Sequence, residues 1–193
     1  MDKKNMNSNI SLVLFIVYIC LGNGCNNDDF PQTGNLVRGI NLGNALEAPN
    51  EGDWGVTLEE EYFELISNKG FDFVRVPIKW SAHAEADSPY TIDTDFFERI
   101  DWVINQSTSR DLLVIINMHH YDEIFSAPVD HRERFIGIWK QIAERYMNYP
   151  DELYFELLNE PHDNLSVNRW NEYLNEAIDI IRESNPERII IVG

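Results

Sequence analysis

The chain has 193 residues, enough for one domain with a sizeable core, and its 44% hydrophobic, 12% aromatic and 25% charged residues describe an ordinary globular protein, not a disordered one. Its formal net charge of -18, with no Lys/Arg cluster to offset it, repels phosphate backbones and excludes a nucleic-acid partner. An acidic surface keeps a protein soluble and tolerates a neutral polymer such as a polysaccharide, so the charge assigns no function by itself.

Residues 1–25 read as an export leader. Lys3 and Lys4 precede an apolar run from Ile10 to Leu21, followed by the small residues Gly22 and Gly24. The run is too short to cross a bilayer as a helix and fits the core of a signal peptide. Cys25, followed by the polar stretch Asn26 to Asp29, resembles a bacterial lipoprotein processing site, although Leu21 lies four residues before it where such sites favour three. A lipid anchor at Cys25 and a plain secretory signal both fit, and either places the protein outside the cytoplasm. Cys20 and Cys25 are the two cysteines, so the rest of the chain forms no disulfide. Residues 26–36 read as a linker, and the folded part as 37–193.

From Val37 onward short apolar strands alternate with amphipathic helices. The first strand is expected over Val37 to Leu42. A helix follows with Thr57 as cap, Glu60 completing a capping box, Gly70 closing the end, and an apolar face of Leu58, Tyr62, Leu65 and Ile66. The second strand runs Phe71 to Val76, stopped by Pro77, and its helix buries Phe96, Phe97, Ile100, Val103 and Ile104. The third strand, Leu112 to Met118, is continuously apolar, as in a strand covered on both faces. A helix on Phe135, Ile138, Trp139, Ile142 and Tyr146 follows. The fourth strand spans Leu153 to Leu158, and the last helix begins near Ser166 and buries Trp170, Leu174, Ala177, Ile178 and Ile181. A fifth strand is expected over Arg188 to Val192.

Strict alternation of strand and helix implies right-handed βαβ units and a parallel sheet. No Gly-rich phosphate loop follows the first strand, which weakens an open dinucleotide-binding sheet. Polar residues instead end four strands: Asn44 and Glu47, Arg75, His119 and His120, Asn159 and Glu160. Active sites of (β/α)₈ barrels are assembled at that rim, so the α/β fold expected is the N-terminal portion, five strands and four helices, of such a TIM barrel. A complete barrel takes about 250 residues. Residues 1–193 taken alone are therefore expected to leave an open sheet edge and not to fold stably.

The strand-end motifs carry a resemblance. Phe155-Glu156-Leu157-Leu158-Asn159-Glu160-Pro161 resembles the acid/base strand of the glycoside hydrolases of the family 5 cellulase type. Arg38 to Glu47, with Asn44, resembles the first-strand motif of that family, Val74-Arg75-Val76-Pro77 the second, and Ile116-Asn117-Met118-His119-His120-Tyr121 the third. The likeness runs from about Asn35 to Gly193, and the segment Glu47 to Gly55 points to bacterial endo-β-1,4-glucanases, some of which cleave β-1,4-mannan.

The resemblance implies a retaining glycosidase, which needs two carboxyl groups about 5 Å apart. It makes Glu160 the general acid/base, Asn159 the partner of the sugar 2-OH, and Arg75 the group that orients the nucleophile. His119, His120, Asn44, Glu47 and Trp54 would contact the sugar. The nucleophile of the family is a Glu ending the seventh strand, beyond residue 193, so these residues alone are expected to be inactive and the full-length enzyme to act as a monomer on cellulose, β-glucan or mannan.

Read without the resemblance, Arg75 shares a strand face with Phe73 and suits an ion pair with Glu156, which shares a face with Glu160. His119 and His120 with Asp122 and Glu123 raise a metal site, but adjacent histidines on an extended segment do not readily share one ion, and no spaced His-Glu helix motif is present. No metal or cofactor is expected. Trp54 suits a sugar platform and a core residue alike, while Trp80 and Tyr121 suggest no role. The competing readings are a non-catalytic sugar-binding remnant of a barrel and a metal-dependent barrel hydrolase.

Overall fold

A computed structural model describes residues 38–193. The expected leader, the linker and Val37 lie outside the described residues. The elements in chain order are β1 (Gly39–Asn41), α1 (Glu60–Asn68), β2 (Phe73–Val76), a 3₁₀ turn (Trp80–Ala82), α2 (Thr94–Thr108), β3 (Leu113–Asn117), α3 (Asp122–Ser126), α4 (Pro128–Tyr146), β4 (Leu153–Glu156), α5 (Val167–Ser184) and β5 (Ile190–Ile191). The strands form one parallel sheet in the order β1-β2-β3-β4-β5. Sequential neighbours, all parallel and each joined through helices, are the arrangement of a partial (β/α)₈ barrel.

The register sorts the strand residues into two faces, because paired residues point the same way. Val74, Val76, Val114, Ile116, Leu153 and Phe155 share one face and are all fully buried, covered by the helices. The opposite face carries Asn41, Arg75, Asn117 and Glu156, with Arg75 level with Ile115 and Asn117 level with Glu156. Polar groups on the inner face, rising toward the strand ends, are what position the site.

Helices α2 and α4 bury the stripes expected of them, with Phe97, Ile100, Ile138, Trp139, Ile142 and Tyr146 in the core. Helix α5 buries Trp170, Ala177 and Ile181 as expected, but Leu174 and Ile178 are half-buried and Tyr173 is buried in addition. Pro128 opens α4 at its first position, where its missing N–H costs no hydrogen bond. Gly70 closes α1 with φ of 71° and donates its N–H to the Ser67 carbonyl at 2.8 Å.

The start of α1 departs from expectation. The Thr57 capping box does not form, and the helix begins at Glu60 with Glu59 in the cap position and no side-chain cap. The preceding residues are held extended instead: Leu58 N–H donates to Glu51 Oε1 at 2.8 Å, and Arg99 Nη2 donates to the Leu58 carbonyl at 2.6 Å. The helix therefore turns Phe63 and Ile66 inward, while Tyr62 and Leu65 are exposed. Helix α3, directly after β3, is an element the sequence pattern does not announce. The strands are shorter than their apolar runs: β2 starts two residues later than expected, at Phe73, and β4 stops two residues earlier, at Glu156.

Candidate active site

The strand ends are laced to one another by backbone hydrogen bonds. Lys79 N–H donates to the Leu46 carbonyl at 2.9 Å, His119 N–H to Ile78 at 2.8 Å, and Asn159 N–H to Met118 at 2.9 Å. Two buried indoles tie the same segments from the helix side: Trp80 Nε1 donates to the Asn117 carbonyl and Trp139 Nε1 to that of Leu157, both at 3.0 Å. Trp80 is thus a structural residue. So is Tyr121, which is fully buried with its hydroxyl 3.1 Å from His131 Nδ1 and pushed well up in pKa by burial.

Three residues at these ends take left-handed backbone angles that side chains rarely adopt: Asn44 (φ 64°), His120 (φ 50°) and Glu160 (φ 45°). The turn at His120 resolves the problem of two adjacent histidines on one strand. It brings the His119 and His120 rings edge to face with centroids 4.5 Å apart, and sets His120 edge-on to Trp54 at 5.6 Å. Trp54 is 47% exposed, which removes it from the core.

Arg75 and Glu156 form the expected ion pair. Nε and Nη2 donate to Oε2 and Oε1 at 2.6 Å each, a two-point charge-assisted fork. The remaining donors reach the neighbours: Nη1 to Asn41 Oδ1 at 2.9 Å and Nη2 to Asn159 Oδ1 at 2.9 Å. Asn117, fully buried, links the pair to the histidines, with Nδ2 3.3 Å from Glu156 Oε1 and 3.1 Å from His119 Nδ1. Asn41 and Asn117 thus belong to the site, beyond the residues the sequence motifs point to. The signal available was a polar residue closing an otherwise apolar strand.

Burial lowers the pKa of His119 to about 3, and the proximity of Arg75 and then of His120 adds to the effect. His119 is therefore neutral at ordinary pH. His119, Asn159 and Arg75 are drawn into one network with Glu156 at its centre.

Glu47 departs from the others. It is buried, and its carboxylate receives the backbone N–H groups of Asn44 and Ala45, the latter at 2.9 Å. The structure gives it the task of holding the loop after β1 rather than an open position on the rim. Glu160 is the contrast: its side chain is exposed, and among the described residues its carboxyl meets no hydrogen-bond or ion-pair partner. Asp122 is drawn to Lys79 at 3.6 Å, and no group of three or more His, Cys, Asp or Glu among the described residues is placed to hold a metal ion.

The rim so built holds the exposed, unpartnered carboxyl group of Glu160, a set of oriented N–H donors and an exposed aromatic ring. That combination suits a neutral, hydroxyl-rich ligand whose reaction needs proton transfer.

Comparison with known proteins points the same way. The family description "Cellulase (glycosyl hydrolase family 5)" matches residues 31–193. Endoglucanase H of Acetivibrio thermocellus is 41% identical over 166 residues, covering 86% of this chain and 18% of the relative. Endoglucanase A of Ruminococcus albus is 36% identical over 149 residues, covering 72% and 41%. Among solved structures, Thermotoga maritima Cel5A in complex with cellobiose superposes with a TM-score of 0.81 at 55% identity, covering 82% of this chain and 51% of that one. The same enzyme in complex with mannotriose gives 0.81 at 54% identity over the same shares. The chain thus spans about half the length of these solved relatives and less of the curated ones.

Proposed function

The chain belongs to the cellulase family, glycosyl hydrolase family 5, and from that premise we propose that it carries the acid/base half of a retaining β-1,4-glycanase acting on cellulose or β-glucan. The observation that carries this reading is the contrast among three carboxyl groups at one rim. Glu47 is committed to two backbone amides and Glu156 to a guanidinium, whereas Glu160 is exposed and uncommitted on a strained strand end.

In the proposed reaction Glu160 donates its proton to the glycosidic oxygen as the bond to the anomeric carbon breaks and a second carboxylate attacks that carbon. The ionised Glu160 then takes a proton from water, which displaces the enzyme carboxylate and restores the anomeric configuration. Asn159 donates to the sugar 2-OH, His119 and His120 to neighbouring hydroxyls, and Trp54 offers its ring face to a sugar. Glu47 acts one step back, by fixing the loop that carries Asn44. Glu47 and Glu156 are committed to other partners, and by the chain's likeness to the family the nucleophile is assigned to residues outside 38–193, and these residues alone to a hydrolytically silent half-site.

The mannotriose complex of the Cel5A relative supports β-1,4-mannan as a second substrate class. Export through the 1–25 leader, with or without lipid on Cys25, remains part of the proposal and is tested by fractionation and palmitate labelling.

The deciding experiment is Glu160→Ala in the full-length enzyme. Loss of an acid/base group costs about 10² to 10⁴ in turnover. On an activated aryl β-cellobioside, whose phenolate leaves without protonation, added azide, which needs no base, should restore glycosyl transfer and yield a β-glycosyl azide. Near-normal hydrolysis, or an azide product of inverted configuration, would sink the assignment.

A further inference from the structure

A single carboxylate beneath the rim governs which way the groups above it point their hydrogens. Glu156, with its side chain 14% exposed, is fixed by the Arg75 fork. An ionised carboxylate only accepts hydrogen bonds, so the end of the Asn117 carboxamide that faces Oε1 at 3.3 Å must be its NH₂. The other end agrees, because Asn117 Oδ1 accepts the Ile78 N–H at 3.3 Å. With one Nδ2 hydrogen on Glu156, the second is directed at His119 Nδ1, 3.1 Å away. Nδ1 is thereby an acceptor, and a neutral imidazole with a bare Nδ1 carries its proton on Nε2.

The same carboxylate acts on the other side. Arg75 Nη2, anchored on Glu156 Oε1, donates to Asn159 Oδ1 at 2.9 Å. The oxygen of that carboxamide is thus occupied, and its two Nδ2 hydrogens are left for a ligand.

The geometry points to Glu156 as a positioning residue that sets the hydrogen-bond polarity of the site: through Asn117 it makes His119 an Nε2–H donor, and through Arg75 it makes Asn159 an Nδ2–H donor. Both groups then offer N–H to hydroxyl oxygens of a sugar. The inference takes its ligand from the glycanase reading, but the polarity itself exists without substrate.

The test uses ¹⁵N-histidine-labelled full-length protein at neutral pH with no sugar present. Long-range ¹H–¹⁵N correlations of His119 should show a protonated Nε2 and a bare Nδ1; an Nδ1–H ring or an imidazolium overturns the proposal. Glu156→Gln keeps the volume but removes the carboxylate that holds the Asn117 NH₂, so only the Ile78 N–H still favours one orientation of that carboxamide. His119 should then lose its single tautomer and populate Nδ1–H several-fold more than the parent, and an unchanged spectrum overturns the role of Glu156. Should that variant not fold, Asn117→Asp places only acceptors against Nδ1 and should turn the ring to Nδ1–H; no change there is equally fatal, and the parent spectrum decides on its own in any case. A failed tautomer result leaves Glu160 as acid/base intact, and failed azide rescue at Glu160 leaves the tautomer result intact.

Discussion

Arg75 and Glu156 meet edge to edge although they stand on β2 and β4, with β3 between them. The fork spans the intervening strand across the inner face of the sheet, and the side chains are 17% and 14% exposed. Removing one partner strands the other in a place of low polarity, so the pair is a test of stability and of chemistry together.

Arg75→Ala in the full-length enzyme should lower stability by about 2–3 kcal/mol, somewhat less than a fully buried pair would cost. Turnover should be lost rather than substrate binding weakened. Arg75→Lys keeps the charge but not the fork, and should recover part of the stability with little of the turnover. Urea unfolding and steady-state kinetics separate the two effects, and near-normal kcat in either variant removes Arg75 from the mechanism.

Trp54→Ala should act on binding alone. The ring is exposed and touches His120 at its edge, so little core packing is lost. An aromatic contact is worth about 1 kcal/mol, or roughly a fivefold rise in KM. Trp54→Phe should restore most of it, with the melting temperature of both variants close to that of the parent.

His119 contributes to the acid limb of the stability curve. Its folded pKa is depressed to about 3 by burial first and by Arg75 and His120 second, against an ordinary value of 6.5. Between those values the unfolded chain binds the proton and the folded one does not, so stability falls as pH drops from 6.5 toward 3. The slope from this group is at most about 1.4 kcal/mol per pH unit. His119→Gln should flatten the curve in that window and leave it unchanged above pH 7, as read by denaturation midpoints across pH.

Arg188 should prove the most sensitive residue away from the rim. It is buried, and its guanidinium donates to the carbonyls of Tyr146, Tyr149, Pro150 and Leu153 at 2.6 to 3.0 Å. It ties the end of α4 to the start of β4. Arg188→Met removes the guanidinium from all four; the Tyr146 and Pro150 carbonyls keep the Tyr149 and Leu153 N–H groups, and the variant should cost about 2–3 kcal/mol. A denaturant midpoint that falls with an unchanged slope would report it.

The sequence made the architecture readable because the apolar spacing changes from strand to helix at each step, and α2 and α4 bury those very stripes. Helix α1 misled because Tyr62 and Leu65 are apolar by type, while the inward face is chosen by the Glu51–Arg99–Leu58 tie, a tertiary contact. Side-chain parity along β2 and β4 was enough to suggest the Arg75–Glu156 pair. The commitment of Glu47 was not readable, since it depends on the backbone bend at Asn44. Asn117 was hidden for a different reason: a polar residue at the end of an apolar run shows its purpose only when its three partners are in place.

The left-handed backbone at Glu160 has a bearing on how such a protein can be improved. A side chain at φ 45° costs about 1–2 kcal/mol that glycine would not incur. Glycine there would therefore make the scaffold hardier while deleting the proposed proton donor. Under the proposed acid/base role, laboratory evolution ranked by heat resistance alone would drift toward inert barrels, and the drift would begin at Glu160.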